Sequence, residues 1–157
     1  MKTKMISFAF AALAFGLFFA CEEGDTQKPV IDLIEPEEGA HLSIGHDHGI
    51  HFEMNLSDND ALDSYRVQIH DAFDDHQHTR SAGIEPFYFD SVFTDIQGLR
   101  NANIHHHAIL IPQGVAAGKY HLEVYCTDRA KNQAYTYRNV FLTEEEHDEE
   151  HDEDHED

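Results

Sequence analysis

The chain concentrates metal-type ligands in one ten-residue stretch, Ile69 to His78, which reads IHDAFDDHQH. Three histidines (His70, His76 and His78) and three aspartates fall within it. A neutral imidazole nitrogen is a ligand for zinc, copper and nickel, and a carboxylate supplies oxygen. Further histidines occur elsewhere in short runs: His46, His48 and His51, then His105 to His107, then His121. The sequence therefore predicts a metal-binding domain, with zinc as the first candidate and copper as the second.

Several of these histidines have the spacing that permits chelation from a β-strand, where residues two apart share one face. The pairs with this spacing are His76 and His78, His46 and His48, and His105 and His107. We predict that the clustered histidines bind a divalent transition metal, either to buffer it or to deliver it to an outer-membrane uptake transporter. The alternative is an adhesion or scaffold module whose exposed histidines bind no metal.

The N-terminal segment has the features of a lipoprotein signal. Lys2 and Lys4 precede an apolar run from Met5 to Ala20, which is short for a membrane span. The run ends Phe-Phe-Ala-Cys, which resembles a bacterial lipobox with Cys21 as the lipid attachment site. An ordinary secretion signal with an incidental cysteine is the alternative. We expect residues 1–21 to be the signal segment, residues 22–27 a flexible tether, and the protein an outer-membrane lipoprotein facing the periplasm or the cell surface.

Acidic residues dominate the charge of the chain. It has 31 Asp plus Glu against 10 Lys plus Arg, and a formal net charge of −21 with histidine neutral. Such a chain attracts cations and is repelled by nucleic acid and anionic lipid, so we expect no nucleic-acid partner and membrane contact only through the lipid anchor. With Cys21 acylated, Cys126 is the one cysteine left, which excludes an intramolecular disulfide and a cysteine-rich zinc site.

Alternating apolar residues predict β-strands throughout the body of the chain, and no segment has the 3.6-residue period of a helix. The predicted strands include 50–56, 65–69, 87–93, 120–126 and 134–142, with a further strand from Ile104 to Ile111 before Pro112. The fold prediction is all-β: one immunoglobulin-like or fibronectin III-like β-sandwich over residues 28–143. Residues 144–157 interleave three histidines with acidic residues, and we expect a disordered tail that either collects metal or only solubilises the protein.

Two sets of residues carry a resemblance to known families. Gly118 to Cys126, followed by Lys131-Asn132, resembles the last hairpin of bacterial immunoglobulin-like domains, with Tyr120 placed for a tyrosine corner. The second set is Lys28 to Ile34, Ile69-His70, Phe73, His76-x-His78, His105 to His107 and Gly118-x-Tyr120-His121. Together these resemble the small His-rich Bacteroidetes lipoproteins catalogued as domain of unknown function 4625. The resemblance covers residues 28–143 and implies an immunoglobulin-like fold and histidines suited to metal, with no activity.

The predicted topology brings some histidines together. Alternation turns His70 and His121 outward on two strands that are antiparallel neighbours in an immunoglobulin-like sheet, so they should be cross-strand neighbours. We expect His76, His78 and the run from His46 to His51 to join them at the same end, in one assembly. The start of the predicted strand at Ile104 lies towards the other end, where His105 and His107 would form a second site; the alternative is that the strand begins later than Ile104.

No set of residues predicts catalysis. The serines lack the glycine flanks of a nucleophile elbow, the chain has no phosphate-binding glycine loop, and no pair of carboxylates stands out as an acid and a base. We therefore expect that the protein is not an enzyme. Asp58-Asn59-Asp60 could supply oxygens to calcium, although aspartate and asparagine here more often cap a turn, and the turn is the favoured interpretation.

Overall fold

The computed structural model describes residues 24–72 and 84–144. Within these ranges the chain forms strands, turns and loops, and no helix. In the same ranges, no helix has the length and apolar character that a membrane crossing needs. The strands are β1 Val30–Glu35, β2 His41–Ile44, β3 Phe52–Ser57, β4 Leu62–Asp71, β5 Phe89–Phe93, β6 Asn101–His106, β7 Gly118–Asp128 and β8 Gln133–Glu144.

The strands form two sheets, which confirms the predicted all-β sandwich. One sheet has three strands in the order β1-β3-β6, and the other has five in the order β2-β8-β7-β4-β5. Neighbouring strands are antiparallel, except that β2 runs parallel to β8. This order matches an immunoglobulin-like sandwich in which β3 and β6 are strands B and E, and β4 and β7 are strands C and F.

The core lies between the sheets and follows the predicted alternation. Tyr65, Val67 and Ile69 of β4 face inward and are buried. So are four alternate residues of β7: Tyr120, Leu122, Val124 and Cys126. Burying one such large side chain contributes about 1.5–3 kcal/mol, so this inner layer is the main source of stability. The outward residues between them are free to carry function.

A tyrosine corner fixes the start of β7, as the sequence predicted. The hydroxyl of buried Tyr120 donates to the carbonyl oxygen of Ala116 at 2.7 Å and accepts from the amide of Phe87 at 3.1 Å. These two bonds attach the segments before β5 and before β7 to the core. Both segments lie at the end of the sandwich where β4 finishes.

The predicted strand from Ile104 to Ile111 is wrong in its bounds. β6 begins earlier, at Asn101, and ends at His106. Ile109 and Ile111 are buried, but they belong to a loop whose carbonyl groups accept hydrogen bonds from Ile50 and Gly45. The alternating apolar residues therefore belong to a loop that packs on the core. Side chains can be buried in this way without the segment pairing with another strand.

Strand β2 was not predicted from the sequence. It is four residues long and lies at the edge of the larger sheet beside the last residues of β8. Leu42 and Ile44 are buried and share one face, so a short alternation was present. A segment of this length gives too few repeats of the pattern to be distinguished from a loop.

Candidate functional site

His70 and His121 lie side by side on the outer face of the five-stranded sheet, which confirms the predicted cross-strand pairing. They are direct partners in the β4–β7 register, and their ring centroids are 5.4 Å apart. The ring of Tyr137 lies 5.9 Å beyond His121. Glu123, two residues after His121 on the same face, places its Oε1 3.6 Å from Nε2 of His70. Two imidazoles and one carboxylate thus share this face.

Glu123 is held as an anion at this site. Burial alone would raise the pKa of its carboxyl group. Hydrogen bonds from the hydroxyls of Tyr135 and Tyr125, both 3.0 Å long, together with His70, outweigh burial and lower that pKa. The carboxylate can therefore attract a cation to the His70–His121 pair.

A second cluster lies on the outer face of the three-stranded sheet. The ring of His51 is 4.9 Å from that of His105 and 5.2 Å from that of His107, and His105 and His107 are 5.8 Å apart. Glu53 pairs with His105 across the strands and places its Oε2 3.6 Å from Nε2 of His51. We define this set as the His51 cluster.

The position of the His51 cluster corrects two predictions. His105 is in the last two residues of β6, opposite the start of β3, so it is not at the far end of the sandwich. The reason is that β6 starts three residues earlier than predicted. His51 joins His105 and His107, since Phe52 after it points into the core and leaves His51 on the outer face. The prediction that His51 joins His70 in a single assembly is therefore wrong.

Gly49 makes the His51 cluster sterically feasible. Its backbone has a φ of +70°, and a Cβ atom there would lie 2.2 Å from the carbonyl oxygen of His107 and 2.9 Å from that of Ile109. Only a residue without a Cβ permits this approach of the two loops. The approach brings His51 beside His107.

His46 and His48 lie in the loop before β3. Their ring centroids are 5.4 Å apart. His46 also lines a cleft of about 300 Å³ that includes His41 and His51. Among the described residues, no ring contact joins this loop to His70 or His121, so the assembly of His46 and His48 with them stays a prediction. The loop joins β2 of the five-stranded sheet to β3 of the three-stranded sheet.

His106 is a structural residue rather than a ligand candidate. Its ring stacks on Phe52 at 5.0 Å and on Phe93 at 5.4 Å. Burial lowers its pKa, so the imidazole is held neutral at the edge of the core. His105 and His107, on either side of it, are exposed. This alternation agrees with the sequence prediction, which named His105 and His107 as ligands and omitted His106.

Three predicted site residues fall outside the described ranges: Cys21, His76 and His78. Their roles as lipid attachment site and metal ligands stay predictions. Within residues 24–72 and 84–144, one group of three candidate ligands has its ligand atoms within 4.8 Å of one another, and it contains no histidine. It is Asp25, Asp58 and Asp128. The histidine sets need side-chain rotations before three ligand atoms reach one ion.

Four carboxylates at these sites were not predicted from the sequence: Glu53, Glu123, Asp25 and Asp128. Two signals could have found most of them. Glu53 and Glu123 each lie two residues after an outward histidine of the same strand face. Asp128 continues the inward alternation of β7, and a charged residue at an inward position is unusual enough to mark a site. Asp25 precedes the first strand and has no such signal.

The same residues lie within a known family of domains. The family described as Domain of unknown function (DUF4625) matches residues 19–143. The chain belongs to this family. The match spans both histidine sets and the aspartate group, so all three are features of a domain that the family covers. No curated protein matches the chain.

Proposed function

We propose that this member of the DUF4625 family is an envelope-anchored lipoprotein that binds a divalent transition metal, zinc first and copper second, through its clustered histidines. Its role would be to buffer the metal or to deliver it to an outer-membrane uptake transporter. The observation that carries the proposal is the convergence of imidazoles from separate segments of the chain: His70 with His121, and His51 with His105 and His107.

The spacing of the rings supports this proposal. Two imidazoles bound to one zinc ion, at Zn–N distances of about 2.0–2.1 Å, have ring centroids about 5 Å apart. The closest ring pairs in the two sets are separated by 4.9, 5.2 and 5.4 Å. His51, His105 and His107 are exposed, and rotation of their side chains leaves the core packing unchanged.

Each histidine set also has a carboxylate as a further ligand. Glu123 lies beside His70, and Glu53 lies beside His51, both at 3.6 Å. A site with two or three imidazoles and one carboxylate suits zinc and copper better than calcium, which prefers oxygen alone. For the His70 set, His76 and His78 are the proposed additional ligands, on their sequence spacing.

The test is titration of the untagged mature chain, carrying Cys21→Ser so that it is not acylated, with zinc and then copper. We expect stoichiometric binding far tighter than ~100 µM, the level at which the adhesion alternative would be favoured. Affinity should weaken between about pH 7.5 and 5.5, because imidazole with a reference pKa of about 6.5 binds metal only when neutral.

Paired substitutions assign the sites. His70→Ala with His121→Ala, His76→Ala with His78→Ala, and His105→Ala with His107→Ala each remove two proposed ligands. His41→Ala is the matched control, since it removes an exposed histidine that stacks on Phe141 outside both sets. The tightest site should depend on His76 and His78 and persist when residues 145–157 are deleted. If deletion of that tail abolishes tight binding and no pair does, the proposal is wrong.

A second candidate, an adhesion or scaffold module, is favoured by one specific feature. The outer face of the five-stranded sheet exposes large apolar or aromatic side chains: Tyr88, Val92, Tyr135 and Tyr137. An exposed aromatic face of this kind suits contact with another macromolecule. Under this alternative, zinc has no effect on the chain at micromolar concentration.

A further inference from the structure

The end of the sandwich opposite the histidines brings three carboxylates together. Asp58 follows β3, Asp128 is the last residue of β7, and Asp25 lies in the N-terminal arm before β1. One oxygen from each lies within 4.8 Å of the others. These residues come from distant parts of the sequence, so the fold, and not a local acidic run, places them together. We define them as the aspartate triad.

Local hydrogen bonds orient the triad but leave one oxygen without a partner among the described residues. Asp58 Oδ1 accepts from the amide of Asp60 at 2.9 Å, and Asp25 Oδ1 accepts from the amide of Gln27 at 2.9 Å. The favoured turn interpretation of Asp58 is therefore confirmed for this oxygen. The Oδ2 atom of Asp58 is enclosed and accepts no hydrogen bond from any described residue, whereas the carboxylate of Asp25 also interacts with the side chain of Asn59.

Asp128 is the most deeply buried member. Its side chain is fully enclosed, and it is the one charged residue among the buried core positions of the described chain. Its two oxygens accept bonds from the amide and the side chain of Asn132, at 2.8 and 2.7 Å. These bonds hold the β7–β8 turn, in which Lys131 adopts a left-handed φ of 74°. They supply no positive charge.

Nearby cations are already paired elsewhere. Arg129 binds Asp60, with its Nη2 2.6 Å from Oδ2, and Lys131 binds Asp63, with its Nζ 2.7 Å from Oδ2. Within the described ranges, no lysine or arginine forms an ion pair with the triad. A buried carboxylate is costly unless it is paired or coordinates a metal, and three within one ligand sphere repel one another. The arrangement therefore favours the binding of a positive charge, which the described residues do not provide.

The ligand chemistry indicates a hard cation of the calcium class. All donor atoms are carboxylate oxygens, which calcium prefers. Calcium accepts irregular coordination by several carboxylates, whereas magnesium demands near-ideal octahedral geometry and usually keeps several waters. The neighbouring Cys126 is buried in the core and is not among the residues whose ligand atoms lie within 4.8 Å of one another.

We propose that Asp25, Asp58 and Asp128 bind one calcium-class divalent cation, which ties the N-terminal arm to the closing turn of the sandwich. The arm is held independently by Asn132, whose Nδ2 donates to the backbone oxygen of Asp25 at 3.0 Å. Asp25 lies four residues after Cys21, so the cation would fix the domain close to its predicted lipid anchor. This site is separate from the histidine sets and does not depend on their binding a transition metal.

The experiment measures thermal unfolding of the untagged mature chain carrying Cys21→Ser, first freed of metal with a chelator. Addition of 1 mM calcium should raise Tm by roughly 5–10 °C, with magnesium giving a smaller rise. Asp25→Asn and Asp58→Asn should each weaken the apparent calcium affinity at least ten-fold. Glu85→Gln, which removes one exposed acid remote from the triad, is the matched control and should behave as wild type.

Two further results distinguish calcium binding at the triad from calcium binding elsewhere on the chain. In chelator, Asp25→Asn should unfold at about the wild-type temperature, because the Oδ1 of asparagine can still accept from the amide of Gln27. Deletion of residues 145–157 should leave the calcium-induced rise unchanged, since binding to the tail does not stabilise the fold. If Asp128→Asn fails to fold, the calcium response of Asp25→Asn and Asp58→Asn still tests the proposal. No calcium-induced rise in wild type, an equal rise in Asp25→Asn, or loss of the rise with the tail would overturn the proposal.

Discussion

The two ends of the sandwich hold opposite ligand chemistries on the same strands. β3 follows His51 and leads to Asp58, and β7 has His121 near its start and Asp128 at its end. The six residues of β3 separate the two ends by about 20 Å. The histidine end holds exposed or half-buried imidazoles with a carboxylate beside each set, whereas the aspartate end includes the buried Asp128 and supplies carboxylate oxygen alone. Strand length alone would therefore let one small fold keep soft and hard cations apart.

The largest effect should come from Gly49, which supports the histidine end. Gly49→Ala places a Cβ against the backbone carbonyls of His107 and Ile109, which cannot rotate away. We expect a loss of about 2–4 kcal/mol in the free energy of unfolding by urea, together with weaker zinc binding at the His51 cluster. The calcium-induced rise in Tm should persist.

Gly98 provides the matched control for that substitution. Its φ is +84°, similar to that of Gly49, but a Cβ there meets nothing within 4 Å. Gly98→Ala should therefore cost only about 1 kcal/mol, from backbone strain alone. Equal losses in the two variants would show that the approach of the two loops contributes nothing.

Tyr120→Phe should have the next largest effect. It removes the hydroxyl that bonds Ala116 and Phe87, and leaves buried backbone groups without that partner. We expect a loss of about 1–3 kcal/mol in unfolding free energy. Tyr65→Phe removes the hydroxyl of another buried tyrosine, one that stacks on Phe93, and should cost less. A smaller loss in Tyr120→Phe than in Tyr65→Phe contradicts the role of the tyrosine corner.

Glu123→Gln tests the electrostatics of the His70–His121 pair. Replacing the anion removes an attractive charge 3.6 Å from His70 while preserving side-chain size. Zinc affinity at this pair should fall by roughly 3–10-fold, equivalent to about 1 kcal/mol. Glu53→Gln should affect the His51 cluster instead. The separation of the two ends is contradicted if either change alters the calcium-induced rise in Tm.

The smallest effect concerns acid stability at the aspartate end. Hydrogen bonds from Lys131 and Gln97 lower the pKa of Asp63. A carboxyl group with a lowered folded-state pKa stabilises the fold above its unfolded-state pKa near 4, and this contribution is lost as pH falls through the folded-state value. Asp63→Asn should therefore flatten the decline in stability below about pH 4 by a small amount. Urea unfolding at pH 3, 4 and 5 measures it, with exposed Asp47→Asn as the control.

Much of the fold followed from the sequence because period-two alternation is a direct consequence of strand geometry. It correctly turned Tyr65, Val67 and Ile69 inward and so paired His70 with His121. Alternation does not reveal where pairing stops, so the apolar loop after β6 was predicted as strand. That error placed His105 at the wrong end. His51 lies beside His107 because two loops that are distant in the sequence contact each other. The spacing of residues within one segment does not predict such a contact.

Only part of the aspartate triad could be predicted from the sequence. Asp58 and Asp128 each continue an inward apolar alternation, after Leu56 and Cys126. A charged side chain at such a position indicates a buried partner or ligand. The sequence pattern favoured a turn at Asp58, and one of its oxygens has that role. The position of Asp25 beside them follows from how the N-terminal arm folds back, which no local pattern predicts.

The most direct test of the central claim is a two-dimensional ¹H–¹⁵N NMR spectrum of the mature, untagged chain, recorded with zinc and with calcium added separately to metal-free protein. We predict that zinc shifts the resonances of the histidine end, including His51 and His121. Calcium should shift those of Asp25, Asp58 and Asp128 and leave the histidines unchanged. If both ions shift the same residues, or if calcium shifts only the histidine end, the account of two separate cation sites is wrong.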